Sequence, residues 1–278
     1  EAGAIDALAV DIGVASYQLA SRGDGFVILE QELASEQYGI GFLLGNDSLK
    51  NAVEETLLEM VADGTFDEIC NNYFGDGTPV AVTSAAYAPS KEQLVVATNA
   101  AFEPFEFTKG ENYYGIDMEI AAKLAEYLGQ ELVIQNMDFD AVCLAVGQQK
   151  CDIAMAGLTV KEDRKEHVDF TTTYYQASQK LIVKADDTTF DACADAAAVE
   201  EILKGFDAET KIGVQNGTTG NFYVKGDAEW GFDGFAAECV AYKNGALAVQ
   251  DLVNGSINYV VIDAAPAQCI TDAINEVA

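Results

Sequence analysis

The sequence predicts an α/β fold whose sheets are mainly parallel. Apolar runs of strand length alternate with helical patterns along the 278 residues. Residues 94–98 form a predicted strand, and residues 116–128 form a predicted helix that stops at Gly129. The predicted buried face of that helix is Ile116, Ile120, Leu124 and Tyr127. Because a strand, a helix and a second strand in succession form a βαβ unit, each repetition predicts another parallel strand pair.

The other segments repeat this alternation. The further predicted strands are 5–10, 26–29, 39–43, 132–134, 152–156, 211–214, 237–241 and 258–262. The further predicted helices are 14–20, 49–60, 139–146 and 246–253. One segment departs from the pattern, since residues 76–90 hold two Pro and many small residues without a helical period. That composition predicts a linker.

The charge of the chain limits its partners. The sequence has 46 acidic residues against 15 Lys and Arg, a formal net charge of −31. Such a surface repels phosphate backbones, so we expect no nucleic-acid partner. The acidity is typical of a well-solvated surface, with adaptation to a salty medium as the alternative.

Cysteine and histidine usage argues against a metal site or a nucleophilic enzyme. The six Cys contain no C-x-x-C pair, and His167 is the only His. We therefore expect no zinc, no other metal and no cofactor, and we expect His167 in an exposed loop or at a helix end. The chain begins at Glu1 without a signal-peptide pattern or a membrane-length apolar run. This predicts a processed or trimmed, soluble chain.

One βα unit occurs twice. Residues 3–11 and 255–263 both consist of Gly, a turn, an apolar strand and then Asp, namely Asp11 and Asp263, and both precede a small-residue helix. An Asp at the carboxyl end of such a strand lies where open α/β sheets hold ligands, although it also suits a helix N-cap.

Two further groups suit a zwitterionic ligand. Arg164 follows the predicted strand 152–156 and a polar turn, where a guanidinium can bind a carboxylate through two parallel hydrogen bonds. A surface Arg in an acidic protein is an equally good interpretation of this residue alone. Thr218, Thr219 and Gly220 open a predicted helix, whose free N–H groups favour an anion.

These residues belong to a longer set of motifs. In order along the chain, the set consists of residues 94–107, 115–119, 139–140, 151–159, Arg164, 168–175 and 212–218, with 38–42, 63–69 and 73–75 placed before them. The set resembles the polar-amino-acid solute-binding proteins of ABC transporters, and within them the glutamine-binding proteins. The resemblance spans nearly the whole chain except the linker.

The family's closing third stands at residues 1–75 here, ahead of its opening at residue 94. The resemblance therefore implies a circularly permuted type II periplasmic-binding-protein fold, or one unit cut from a tandem array. Lobe 1 is expected at 40–175 with the linker 76–90, lobe 2 at 1–35 plus 178–278, and the hinge near 35–39 and 174–178. Both lobes are expected to be Rossmann-like. Three Cys fall in each lobe, which allows at most one disulfide per lobe unless lobes or chains are bridged.

The resemblance also implies roles at the ends of an amino acid. Arg164 holds the α-carboxylate with the backbone N–H groups of Thr159 and Thr219. The α-ammonium binds the Gly157 carbonyl, the Thr159 hydroxyl and one lobe 2 Asp. We expect Asp11 there rather than Asp263, because the chain fixes its register on both sides. The unused copy is expected at a sheet edge or in a neighbouring molecule, as a domain-swapped oligomer.

The remaining implied roles concern the ligand's side chain. Phe102 and Phe139 sandwich its aliphatic part, although core aromatics are the alternative interpretation. Asn99 and Gln215 meet its polar end. The family usually has an acid at the first position, and glutamine binders have a Lys at the second. An amide pair satisfies a side-chain amide but leaves a Lys or Arg charge without a counter-ion. We therefore expect a neutral polar ligand, with glutamine first.

The predicted function is reversible binding of a free L-amino acid between the lobes, for transport or sensing. An ABC transporter permease or a receptor is the expected partner, and the periplasm, the extracellular space or an organelle lumen the expected location. The alternatives are a dehydratase-like enzyme of the same fold and an amino-acid storage or scaffold protein. The dehydratase needs an acid and a base in the cleft, where Glu106 is the only nearby carboxylate besides the lobe 2 Asp.

Overall fold

In a computed structural model, residues 25–275 form two mixed sheets covered by helices. The strands are β1 Phe26–Ile28, β2 Ser35–Tyr38, β3 Gly41–Leu43, β4 Gln93–Thr98, β5 Ala101–Phe102, β6 Glu106–Lys109, β7 Asn112–Tyr114, β8 Glu131–Asn136, β9 Ile153–Ala154, β10 Val168–Phe170, β11 Tyr175–Lys184, β12 Lys211–Gln215, β13 Glu238–Tyr242 and β14 Tyr259–Asp263. The helices are α1 Asp47–Asp63, α2 Thr65–Phe74, α3 Ile116–Leu128, α4 Val142–Gly147, α5 Glu162–Lys165, α6 Ala196–Lys204, α7 Thr219–Lys225, α8 Gly245–Val253 and α9 Ala264–Asn275. A 3₁₀ turn spans Phe139–Ala141. The predicted strand 5–10 and helix 14–20 lie outside the described residues.

The larger sheet has the order β1-β11-β14-β12-β13, with β2 also paired to β11. Strands β12, β13 and β14 are parallel, as the βαβ rhythm predicts. Strands β1, β2 and β14 are antiparallel to β11. The smaller sheet has the order β10-β3-β9-β4-β8, and β5, β6 and β7 form a separate meander.

The prediction of mainly parallel sheets is therefore wrong, because both sheets are mixed. In the smaller sheet β4 is parallel to β8 and β9, whereas β3 is antiparallel to β9 and β10. Strands β3 and β11 follow the preceding strand directly, without a crossover helix. A strand reached in that way enters its sheet from the opposite end, and the alternation of helices and strands does not reveal it.

Two paired strands connect the sheets. Strand β2 is antiparallel to the first four residues of β11, with Tyr38 opposite Tyr175 and Ser35 opposite Ser178. The chain then continues from β2 into β3 of the smaller sheet, while β11 continues into the larger sheet. This connection places the carboxyl ends of the parallel strands of both sheets beside one another.

Helix α3 shows why the strongly periodic segments were predictable. Its residues Ile116, Ile120 and Leu124 are buried, and Gly129 ends it in the left-handed conformation with φ of 68°. Glycine adopts this conformation without the Cβ penalty of other residues. Tyr127 was predicted on the same buried face but is 47% exposed. It lies in the last turn of α3.

The linker carries no helix, in agreement with its composition. Val82 is buried and pairs with Tyr113 beside the meander, and the Val80 N–H donates to Glu119 of α3 at 2.8 Å. All six Cys are free thiols, so no disulfide joins described residues of either sheet. No helix within residues 25–275 is long and apolar enough to cross a bilayer.

Candidate functional site

A small cavity lies where the strands of the two sheets end. It is partly open to solvent, and only about 10 Å³ of it is wide enough for the centre of a water molecule. One side is formed by the segments that follow β4, β8 and β9, and the other by the ends of β12 and β14 with the start of α7. The lining residues are Phe102, Phe139, Ala156, Gly157, Thr159, Arg164, Gln215, Thr218, Thr219 and Asp263. Ligands of open α/β sheets bind at such carboxyl ends.

Arg164 spans the cavity from one side to the other. Its Nη1 donates to the Thr159 carbonyl at 2.8 Å, and its Nη2 donates to the Gly217 carbonyl at 3.0 Å. The guanidinium carbon lies 5.2 Å from the ring centroid of Phe139. A guanidinium has five N–H donors, so these two bonds leave donors that can bind a carboxylate.

A pair of buried carboxylates lies at the base of the cavity. Asp263 ends β14 and is 4% exposed, and Glu36 of β2 is 6% exposed. The Gln179 Nε2 donates to Glu36 Oε1 at 2.5 Å and to Asp263 Oδ1 at 2.7 Å. The Tyr38 hydroxyl donates to the other Asp263 oxygen. Burial, and then the Glu36 charge, raise the pKa of Asp263 well above its usual range.

Two threonine hydroxyls from opposite sides of the cavity bind Glu36. Thr159 Oγ1 donates to Glu36 Oε2 at 2.7 Å, and Thr219 Oγ1 donates to the same oxygen. Gly157, two residues before Thr159, has φ of 53°, and a Cβ there would lie 2.9 Å from the Phe102 ring. Its N–H donates to Asp117 at 3.0 Å, which fixes this turn. Burial raises the pKa of Asp117 to about 6.

Aromatic rings and amides form the other end of the cavity. Phe102 is 6% exposed, Phe139 is half-buried, and both rings line the space. The Gln215 Nε2 donates to Asn99 Oδ1 at 3.4 Å, while the Asn99 Nδ2 donates to the Met137 carbonyl at 2.7 Å. Gln215 Oε1 is buried without a partner. The amide pair therefore has an unused acceptor, and no charged side chain within residues 25–275 forms a hydrogen bond with either amide.

A lysine outside the cavity lining connects the segments that form its two sides. The Lys161 Nζ lies 3.5 Å from the Phe222 ring centroid and 4.2 Å from the Trp230 ring centroid. Its side chain is 6% exposed, and it is 3.5 Å from Asp163 and 4.0 Å from Asp227. Cation–π contacts of a desolvated ammonium are among the stronger ones. This contact joins the segment after β9 to α7 and so holds the two sides of the cavity together.

The structure brings most of the predicted binding residues to this cavity. Phe102, Phe139, Gly157, Thr159, Arg164, Gln215, Thr218, Thr219 and Asp263 line it, and Asn99 adjoins it through Gln215. The Thr218 hydroxyl binds the Gln215 carbonyl at 2.8 Å. We expected Asp11 in preference to Asp263 at this position; the structure places Asp263 there, because β14 pairs with β11 and β12 inside the sheet. Asp11 lies outside the described residues.

Four residues of the site were missed. They contact the residues of the cavity wall but were not among the predicted ligand-binding residues: Glu36, Asp117, Lys161 and Gln179. One signal for Glu36 was present in the sequence. Glu36 and Tyr38 stand two positions apart at the predicted hinge, so in a strand both side chains lie on the same face. Glu106, the acid on which a dehydratase interpretation depends, is fully buried and does not line the cavity.

Comparison with known proteins identifies the family. Residues 94–263 match the model of the bacterial extracellular solute-binding proteins, family 3. The match covers more than half of the chain. The chain belongs to this family. Its members are binding proteins, which agrees with the prediction of binding without catalysis.

Two similar proteins support this family assignment. The chain is similar to the arginine-binding protein 1 of an ABC transporter of Escherichia coli K12, with 30% identity over 64% of this chain and 66% of that protein. It is also similar to an arginine-binding extracellular protein of Bacillus subtilis 168, with 36% identity over 34% of this chain and 38% of that protein. The chain therefore covers less than two thirds of either relative.

A solved structure shows the same fold. An ancestral arginine-binding protein bound to arginine superposes with a TM-score of 0.57 and 31% identity over 67% of this chain and 76% of that one. The solute-binding protein described here thus has the type II periplasmic-binding fold that the sequence motifs predicted. The family match begins at residue 94, although β1, β2, β3, α1 and α2 precede it in the chain.

Proposed function

We propose that this solute-binding protein binds one free L-amino acid reversibly in the cavity between its sheets. The observation that carries the proposal is the placement of Arg164 and Asp263 on the wall of one small cavity. The guanidinium can bind the negative end of a zwitterion, and the carboxylate can bind its positive end. Each would leave a costly unpaired charge if a ligand lacked the matching group.

The other groups of the cavity complete this assignment. Arg164 and the N–H groups of Thr159 and Thr219 receive the α-carboxylate. The Gly157 carbonyl, the Thr159 hydroxyl and Asp263 receive the α-ammonium. The rings of Phe102 and Phe139 enclose the aliphatic part, since both line the same space. No step in this assignment makes or breaks a covalent bond.

The side-chain end favours a neutral polar ligand, with glutamine first. Asn99 and Gln215 present amide groups, and the free Gln215 Oε1 can accept from a primary amide. The named relatives bind arginine, which makes arginine the competing ligand. The guanidinium of a bound arginine would lie beside the amide pair, where no carboxylate within residues 25–275 hydrogen-bonds to either amide. The cost of removing it from water would therefore be poorly offset.

Calorimetry against the twenty common L-amino acids tests this proposal. We expect glutamine to bind with 1:1 stoichiometry and more tightly than arginine or lysine. Tighter binding of either cation than of every neutral amino acid would overturn the glutamine assignment and leave amino-acid binding intact. Absence of binding by all of them would overturn the function.

The family and one relative support a partner and a location. We propose that the protein works outside the cytoplasmic membrane and delivers its ligand to an ABC transporter permease, since the family is described as extracellular and the relative is named as an ABC transporter binding protein. Closure of two lobes around a ligand is the usual signal in such systems.

We also propose the division into two lobes that the sequence motifs implied. Residues 40–175 contain the smaller sheet and the meander, and residues 178–275 with 25–35 contain the larger sheet. The pairing of β2 with β11 supports hinge crossings near 35–39 and 174–178. A circularly permuted origin, or excision from a tandem array, accounts for the early position of β1, β2 and β3.

A further inference from the structure

Glu36 is an acidic residue of the site to which the ligand-binding assignment gives no role. It lies on β2, between the two sheets, and does not line the cavity itself. Its carboxylate nevertheless touches both threonines of the cavity wall and shares the Gln179 amide nitrogen with Asp263. Glu36 is therefore placed to act on the ligand through Thr159, Thr219 and Asp263.

The charges around this pair are unbalanced. No described Lys or Arg forms a salt bridge with Glu36 or Asp263. One amide nitrogen donating to both carboxylates brings the two charges close together in a buried place. Two facing carboxylates without a cation cannot both ionise without a large cost, so such pairs share a proton.

We propose that Glu36 is a positioning residue that couples amino-acid binding to proton release: beside the Glu36 carboxylate, Asp263 holds one proton in the ligand-free protein, and the α-ammonium of the amino acid replaces it. The ammonium supplies the positive charge that the pair lacks. The displaced proton leaves to solvent, and no covalent bond to carbon forms or breaks. This inference rests on the proposed function, because it requires an amino acid with its ammonium at Asp263.

Other groups that face the pair do not replace Glu36 in this role. Asp263 is faced by Glu36 and Tyr38 from β2, by Tyr175 from β11 and by Glu106 from β6. Burial raises the pKa values of Tyr38 and Tyr175, so both stay neutral in the range of interest. Burial, followed by the Asp117 charge, also raises the pKa of Glu106. Arg164 lines the same cavity and is committed to the carboxylate end.

The sign of the pH effect follows from Asp263. Its pKa is raised in the ligand-free protein, and the ammonium binds its ionised form. Binding should therefore weaken as the pH falls through that raised pKa, by up to about tenfold per pH unit, and each bound amino acid should release up to about one proton. Replacing Glu36 by Gln keeps a hydrogen-bond acceptor but removes one charge, so the midpoint should move to lower pH.

Calorimetry with L-glutamine, run in parallel with L-arginine, tests this from about pH 5 to about pH 8 in buffers of different ionisation enthalpy. We expect the wild type to release protons and E36Q to release few. E36Q should bind more weakly than the wild type at high pH. The ratio of the wild-type affinity to the E36Q affinity should then fall by about tenfold toward low pH. A merely structural role of Glu36 would weaken binding by the same factor at every pH.

Glu119→Gln is the matched control. Glu119 is also a buried glutamate, 7% exposed, but it binds Tyr73 and the linker and does not line the cavity. This variant should release as many protons as the wild type. A ratio of E36Q to wild-type affinity that is independent of pH, or equal proton release by both, would overturn the inference while the proposed function stands. Absence of binding by the wild type at every pH would overturn both.

Discussion

Replacing Arg164 by Ala is expected to abolish amino-acid binding without unfolding the protein. The guanidinium bonds carbonyls on both sides of the cavity and has donors left for a carboxylate. Removing one partner of a desolvated charge pair typically costs about 2–5 kcal/mol. The affinity should therefore fall by roughly thirty- to several-thousand-fold, measured by calorimetry with the amino acid that binds the wild type best.

Lys165→Ala is the control for this change. Lys165 is the next residue on α5, but its side chain is 43% exposed and pairs with exposed Glu162. An exposed ion pair contributes little, so this variant should bind like the wild type. Thermal unfolding of both variants checks that the fold is retained. Affinity of Arg164→Ala within about threefold of the wild type would mean that Arg164 is not the carboxylate ligand.

The second large effect is expected at the end of β14. Asp263→Asn keeps the size of the side chain and can still accept from Tyr38, but it removes the negative charge that faces the ammonium. The residue is buried, so water cannot solvate the ammonium that has lost its negative partner. We expect at least about thirtyfold weaker binding, again by calorimetry at a pH where the wild type binds tightly.

The duplicated βα unit supplies a matched control in the same chain. Asp11 ends the first copy of the Gly-turn-strand-Asp pattern, and Asp11→Asn should leave the affinity unchanged, because the structure places Asp263, from the second copy, in the cavity. The opposite result, with Asp11→Asn inactive and Asp263→Asn intact, would assign the cavity to the first copy. Equal losses in both variants would mean that the two copies serve two sites, and solution mass would show whether they lie in exchanged molecules.

Local periodicity predicted helices α1, α3, α4 and α8, but helices α2, α5 and α6 were not predicted. It also predicted eight of the fourteen strands within residues 25–275. Helix α3 has the predicted bounds, because thirteen residues with a 3.6-residue period and a terminal Gly leave few alternatives. Strands β4 and β12 contain short apolar runs that alternate with helical segments, and this alternation predicted them. The ordered motifs around Phe102, Gly157 and Arg164 then located one cavity, because each follows the end of a strand.

The parts that were missed depend on contacts between distant segments. The direction of β11 is set by its pairing with β1, β2 and β14, which local sequence does not encode. Glu36 and Thr219 are 183 positions apart, and they meet only because β2 and α7 converge on the cavity. The contact of Lys161 with Phe222 likewise requires the two sides to be closed. Such contacts follow from tertiary packing rather than from any spacing of residue types.

The central claim is that the cavity holds one unaltered L-amino acid. Mass spectrometry tests it most directly. The protein is equilibrated with an isotope-labelled mixture of L-amino acids, separated from free ligand and then denatured, and the released molecule is weighed. We predict one equivalent of a single amino acid with unchanged mass from the wild type and none from Arg164→Ala. Release of a molecule of altered mass would show catalysis, and release of nothing from the wild type would contradict binding.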